Sequence, residues 1–320
     1  MADLSQTSPA AFNLEGGLVL NRSTFLMQPG EALQLENFEP DIEGGYRRIT
    51  GHTKFVNHIV PQTTASSEKV LMVSTFANKV LAARGEKIFS SASTELAIAI
   101  SSSTGMTGSG TITVDSTSGF SSSGTLQIES EIFTYTGVTS TTFTGVTRAT
   151  ASTTAAAHII NTIVSESWTE IDTGRTSAGK YNFERFNFDG NDKIIFVDGD
   201  NAPVVFNTSL SATDVSASSV AGSKFVAVYR NHMFYAGKST TPQELVFSVP
   251  FDEDDFTSGS GAGSIKVDDT IVGLKVFRDN LFIFCENRIF NLTGSSLSDF
   301  AIKPVTRNIG CINGDTIQEF

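Results

Sequence analysis

Two cysteines in 320 residues, Cys285 and Cys311, are too few for a disulfide scaffold, and they read as buried free thiols. Histidine is nearly as scarce. His52, His58, His158 and His232 are the whole supply and none stands at a metal-ligand spacing, so zinc centres and histidine-based catalysis have almost no material. Basic residues are outnumbered, 22 Lys plus Arg against 34 Asp plus Glu, and a net charge of −12 has the wrong sign for a protein that coats nucleic acid. No run approaches the roughly 18 apolar residues of a membrane span, and the opening MADLSQTSPAAFNLEGG has no basic stretch followed by an apolar one. The expectation is a soluble chain made in a cytoplasm, without a membrane anchor.

What is abundant is 25 Phe, with many Ser, Thr and Gly, a composition that favours pleated, half-buried surfaces over long helices. A chain of this length buries about three quarters of its unfolded surface, so apolar burial alone can hold it together. Two stretches share one pattern, KFVAVYRNHMFYAG from Lys224 and GLKVFRDNLFIFCE from Gly273, with Val226 matching Leu274 at an offset of 48 residues. In each, two apolar runs flank a polar triplet, Arg230-Asn231-His232 or Arg278-Asp279-Asn280. Asn and Asp tolerate left-handed backbone, so each copy predicts a β-hairpin.

A second mark recurs in KIFS, VVFN, LVFS and RIFN, at Phe89, Phe206, Phe247 and Phe290. The last two intervals, 41 and 43 residues, match one four-stranded propeller blade. The first interval, 117, is too long, and the excess is a Ser/Thr/Gly-rich stretch, Ser102 to Ala157. Ile112, Val114, Leu126, Ile128, Ile132, Phe133, Tyr135, Phe143 and Val146 fall there in strand-length runs, which a disordered linker has no reason to keep. The fold class expected is mostly β: propeller-like blades with an extended amino-terminal arm and a small inserted all-β domain between two blades. The boundaries are 1–55 for the arm, 56–96 for the first blade, 97–160 for the insert and 161–320 for further blades. The final RNIGCINGDTIQEF begins a strand and stops at Phe320. Either amino-terminal strands complete the ring or the chain is the front part of a longer polypeptide; the second is favoured.

The stretch Gly16 to Phe55 carries Gly-Gly, the Pro29-Gly30 turn, Glu36-Asn37-Phe38, Pro40-Asp41 and Gly44-Gly45-Tyr46-Arg47-Arg48 in order. That order resembles the arm of bacteriophage virion proteins of the tail nozzle and tail-tube class, in which it precedes a β-propeller. Ser116 to His158 is similar to a small β module recurring in phage tail proteins, with Gly124-Thr125-Leu126, Glu131, Tyr135-Thr136-Gly137 and Thr144 to Arg148 as matching points. Phe247 to Leu274 is similar to the link between blades of those propellers. The similar segments cover about half of the chain. The resemblance implies a virion part of the phage tail, assembled in the bacterial host cytoplasm, without enzyme activity or cofactor. Its partners would be other copies of itself in a ring and neighbouring tail or portal-side proteins, with viral DNA touched in passing. Leu33, Leu35, Phe38, Tyr46, Arg47 and Arg48 are the expected assembly contacts. The alternative is a receptor- or glycan-binding propeller of a tail fibre, using aromatics of the insert (Phe120, Phe133, Tyr135, Phe143) that by their spacing belong to a core.

Sites for other chemistry are thin. No Gly-x-Ser-x-Gly elbow occurs, and GSGAG at Gly259 to Gly263 reads as a flexible connector. The run Asp252-Glu253-Asp254-Asp255 reads as a solvated turn rather than a glycosidase pair or calcium site, and Asp198 and Asp200 read as turn acids. Arg22, Arg47, Arg48 and Lys54 form the one basic cluster, suited to the acidic face of a neighbour more than to DNA.

Overall fold

The computed structural model describes residues 68–318 throughout and, before them, 17–19, 23–28, 31–32, 34, 36–40, 46–49, 51, 54–56 and 58–63. The chain divides into two compact units, Met1–Lys54 and Phe55–Phe320. Among the described residues there is no α-helix, only strands and three short 3-10 turns, so the mostly-β expectation holds.

The larger unit contains four four-stranded antiparallel sheets. The second runs Asn182–Phe188, Asn191–Val197, Val204–Asn207 and Ala212–Asp214. The third runs Phe225–Tyr229, His232–Ala236, Glu244–Phe247 and Gly263–Lys266, and the fourth Ile271–Phe277, Asn280–Cys285, Ile289–Thr293 and Ala301–Thr306. Each opens with a hairpin closed by two residues at positive φ: Asp189-Gly190 (55° and 78°), Arg230-Asn231 (51° and 63°) and Arg278-Asp279 (46° and 64°). In the first sheet Ala77-Asn78 (49° and 60°) does the same. Such turns twist with the strands they join, which is why they recur. The residue before each turn is aromatic, Phe76, Phe188, Tyr229 or Phe277. Arg230 and Arg278 fold back over Tyr229 and Phe277 at 5.5 and 5.0 Å from the ring centres, which offsets part of the left-handed strain.

Successive sheets share apolar clusters. Met72, Leu81 and Ile88 meet Ile194, Phe196 and Phe206; Phe186 and Phe188 meet Val226, Met233 and Tyr235; Phe234, Leu245 and Phe247 meet Leu281, Ile283 and Leu292. The central strands are therefore apolar on both faces, His232–Ala236 being buried at every position. The strand Phe225–Tyr229 lies against Asn182–Phe188 on one side and Ile271–Phe277 on the other.

The insert interrupts the first sheet instead of standing between two complete ones. That sheet is Val70–Phe76, Lys79–Arg84 and Lys87–Ser91, completed by Thr169–Thr173 from beyond the insert. Ser93–Glu95 and Ile163–Glu166 pair with each other, which ties the insert's ends together and lets the chain rejoin the sheet it left. The insert is a seven-stranded sheet curled into a half-barrel, with its own core of Leu126, Ile128, Phe133, Tyr135, Phe143 and Val146.

The recurring Phe marks fall on different faces, and one further expectation, on the cysteines, changes. Phe89, Phe206 and Phe290 do not share a face with Phe247: Phe206 and Phe290 point to the preceding sheet, Phe89 points away from the second, and Phe247 points to the following one. Phe247 pairs with Phe234, whereas Phe290 pairs with Ile283, and a one-residue slip of this kind reverses every side chain. Both cysteines are free, but only Cys285 is buried; Cys311 is half-buried.

Candidate functional site

The predicted contact residues lie in the amino-terminal unit, on a two-stranded ribbon. Phe38–Pro40 pairs antiparallel with Tyr46–Arg48, setting Phe38 opposite Arg48 and Glu39 opposite Arg47. Arg47 Nε donates to Glu39 Oε1 at 2.8 Å, an exposed pair worth at most about 1 kcal/mol. Phe38 is exposed, Arg47 and Arg48 are exposed, and Tyr46 is half-buried. Leu33 and Leu35 lie outside the described residues. Composition did not single out the most open apolar residues among those described in this unit, Phe25 (95% exposed) and Leu26 (67%), in the turn Thr24–Leu26. The unbroken TFLM after Ser23 is the signal that could have found them.

In the larger unit, a bowl of about 370 Å³ opens where the second, third and fourth sheets begin, lined by Lys180, Asn182, Lys224 and Asp315 together with Phe225 and Val272 among others. Lys180 pairs with Asp315 of the 3-10 turn Gly314–Thr316, and Asn182 Nδ2 donates to the Lys224 carbonyl at 2.8 Å. Asp198 is committed to its own turn: it accepts from the Asp200 and Asn201 N–H groups at 3.0 and 2.8 Å and from Asn201 Nδ2 at 2.7 Å. The acidic run behaves alike, Asp252 Oδ1 accepting from the Asp254 and Asp255 N–H groups while Glu253 pairs with Lys193. Hydrogen bonds from Thr257 hold the Asp255 carboxyl below its ordinary range. Among the described residues no three His, Cys, Asp or Glu side chains come together as a metal site would require.

The densest electrostatic cluster is inside the insert. Glu131 is fully buried and accepts from Arg148 Nε and Nη2, both at 2.8 Å, from the Ala149 and Ala156 N–H groups at 3.1 and 2.9 Å, and faces His158 Nε2 at 2.9 Å. The other ring nitrogen faces Glu129 Oε2 at 2.8 Å. Arg148 also donates to the carbonyls of Ser101, Thr104 and Ala156. Burial pushes the Glu131 carboxyl up, but hydrogen bonds from Arg148, Ala156 and His158 outweigh it and bring the pKa to about 2. The Glu131, Arg148 and His158 side chains are buried and stitch loops together, which is the work of a fastening; Glu129 alone of the group stands exposed. The insert's aromatics are used the same way: Phe133, Tyr135 and Phe143 are buried and Phe120 packs on Phe143.

No protein-family profile matches the chain, and no curated protein sequence does. Among solved structures, the phage phi92 endosialidase is 16% identical with a TM-score of 0.37, over 75% of this chain and 48% of that one. The chain thus spans about half the length of that endosialidase. PorZ, a bacterial surface component of the type-IX secretion system of Porphyromonas gingivalis, is 9% identical with a TM-score of 0.32, over 76% of this chain and 29% of that one. At TM-scores this low the likeness assigns no activity.

Proposed function

We propose that this chain is a non-catalytic structural part of a tailed-bacteriophage virion, in the tail or nozzle, and that its four sheets are blades of a β-propeller. The observation that carries the reading is the series of three shared apolar clusters joining four successive four-stranded sheets, with the opening strands of the second, third and fourth against one another. Radial stacking of that kind leaves only short sheet edges and makes a rigid wall. The phage assignment rests on the arm, the insert and the link following one another in the order the sequence shares with tail proteins.

In this reading copies of the chain surround the tail axis. The ribbon carrying Phe38, Tyr46, Arg47 and Arg48, with Leu33 and Leu35 nearby in sequence, clasps a neighbouring copy or a tail or portal-side protein. The net charge of −12 lets DNA pass without sticking. Assembly takes place in the host cytoplasm. The fibre-tip alternative loses its contact surface, because the insert's aromatics are packed inside it.

Electron microscopy of phage particles carrying a gold-labelled antibody against this chain tests the assignment. Label on the tail axis or nozzle supports it; label on peripheral fibres, or none on the particle, overturns it.

A further inference from the structure

The outer parts of the third and fourth sheets separate to leave a cleft of about 420 Å³. Its rim carries three cations and one carboxylate: Lys266 at the end of the strand Gly263–Lys266, Arg288, Arg307 and Asp268. The sign is opposite to that of the chain, whose net charge is −12. Asp268 answers only one of the three cations, Arg288, with which it pairs. Neither Lys266 nor Arg307 has a hydrogen bond or an ion pair with any described residue.

A fault in strand pairing puts Arg307 there. Phe290 pairs with Pro304 and Ile289 with Thr306, so Val305 is an extra residue, a bulge in the edge strand Ala301–Thr306. Without it Thr306 would continue the face that carries Ile302 and Pro304; with it, Arg307 takes that place. Arg288 and Arg307 are the next residues outward from the pair Ile289 and Thr306, which sets two guanidinium groups side by side at the cleft. Like charges placed opposite one another are destabilising, and an anion between them turns repulsion into attraction.

The floor is apolar. Val267 and Phe290 are buried, Ile302 is half-buried and Pro304 is exposed. Beyond the cleft the sign changes again, with Asp269 holding the Asn287 N–H at 2.7 Å and Glu286 exposed next to it in the chain. A long polyanion laid across this surface would meet those carboxylates, whereas a single anionic group inside the cleft faces the three cations first.

We propose that this cleft binds a small ligand made of one oxyanion, phosphate or carboxylate, joined to a compact apolar group. Arg288 and Arg307 hold the oxyanion from one wall with their planar N–H forks and Lys266 approaches it from the other, while Ile302 and Pro304 take the apolar part. The volume suits a molecule of that size. Binding here requires no assembly of the chain with other copies.

Saturation-transfer NMR titrations of the full chain with phenyl phosphate and with phenylacetate test this. Saturable binding is expected, weakened roughly tenfold by Arg307→Gln and by Lys266→Gln. Neither side chain has a partner in the fold to lose, and far-UV circular dichroism checks that each variant keeps its structure. Lys303, which pairs with Asn291, lies on the opposite face of the same strand, and Lys303→Gln is expected to bind as the wild type does. Tighter binding of phenyl phosphate identifies the oxyanion as phosphate and tighter binding of phenylacetate identifies it as carboxylate; either supports the site. No saturable binding of either probe overturns the inference. So does binding that both cleft variants leave unchanged, or that Lys303→Gln weakens equally. Displacement of phenyl phosphate by duplex DNA at a concentration roughly a hundredfold lower would also overturn it, since that is the behaviour of an extended polyanion surface.

Discussion

Replacing Glu131 with Gln is expected to loosen the seven-stranded module while leaving the four stacked sheets intact. The amide keeps one carbonyl but puts an NH2 where a carboxylate oxygen accepts hydrogen bonds, so Arg148 is left buried beside a donor. Breaking one partner of a buried pair costs about 3–5 kcal/mol. Linkage gives a similar figure: a carboxyl at about 2 in the folded chain, against an ordinary 4.5, carries about 3 kcal/mol of pH-dependent stability. The folded value is the lower one, so this stability is fully present above pH 4.5 and is lost as the pH falls towards 2. Hydrogen exchange followed by mass spectrometry reads it strand by strand. At neutral pH, Glu131→Gln is expected to accelerate exchange in Gly124–Ile128, Glu131–Tyr135 and Thr142–Thr147 by about a hundredfold, the equivalent of about 3 kcal/mol. Exchange in Asn191–Val197 and His232–Ala236 is expected to stay as it was. Unchanged exchange in the module, or equal acceleration in every sheet, would refute the reasoning.

Three other outcomes follow from single contacts. Gly119, at φ +85°, sits so close to the first sheet's turn that a Cβ would lie 2.3 Å from the Asn78 carbonyl oxygen, so Gly119→Val is expected to pry the insert away from that turn and expose it to limited proteolysis. Burial raises the Glu184 carboxyl to about 7 against the opposing pull of Lys275; its contribution to stability is present below pH 4.5 and lost as the pH rises through 7. Glu184→Gln is therefore expected to raise the melting temperature at pH 8 and to leave it nearly unchanged at pH 4; the same shift at both pH values would count against it. Burial, with Asp269 and Asp268 nearby, pushes the Cys285 thiol up to about 12, so a disulfide reagent at pH 8 is expected to titrate Cys311 alone until denaturant exposes the second thiol.

The hairpins were legible because turn chemistry is local. Arg230-Asn231 and Arg278-Asp279 announce left-handed backbone between apolar runs, and the structure places positive φ at those four residues. Which face a strand presents is less local. The Phe marks at Phe247 and Phe290 look equivalent in sequence, yet register with the neighbouring strand puts them on opposite faces. The strand Thr169–Thr173 was missed as the completion of the first sheet because an edge strand with no buried residue carries no apolar signal. Of the candidate contacts, Phe38, Tyr46, Arg47 and Arg48 do come together on one ribbon. The buried cluster of Glu131, Arg148 and His158 could not be read as a cluster, since its members are joined only by the fold of the insert.

The most direct test of the central claim is a cryo-electron microscopy reconstruction of the assembled protein at a resolution that separates strands. The account predicts four-stranded sheets side by side around a common axis. Sheets pointing to unrelated axes would contradict it.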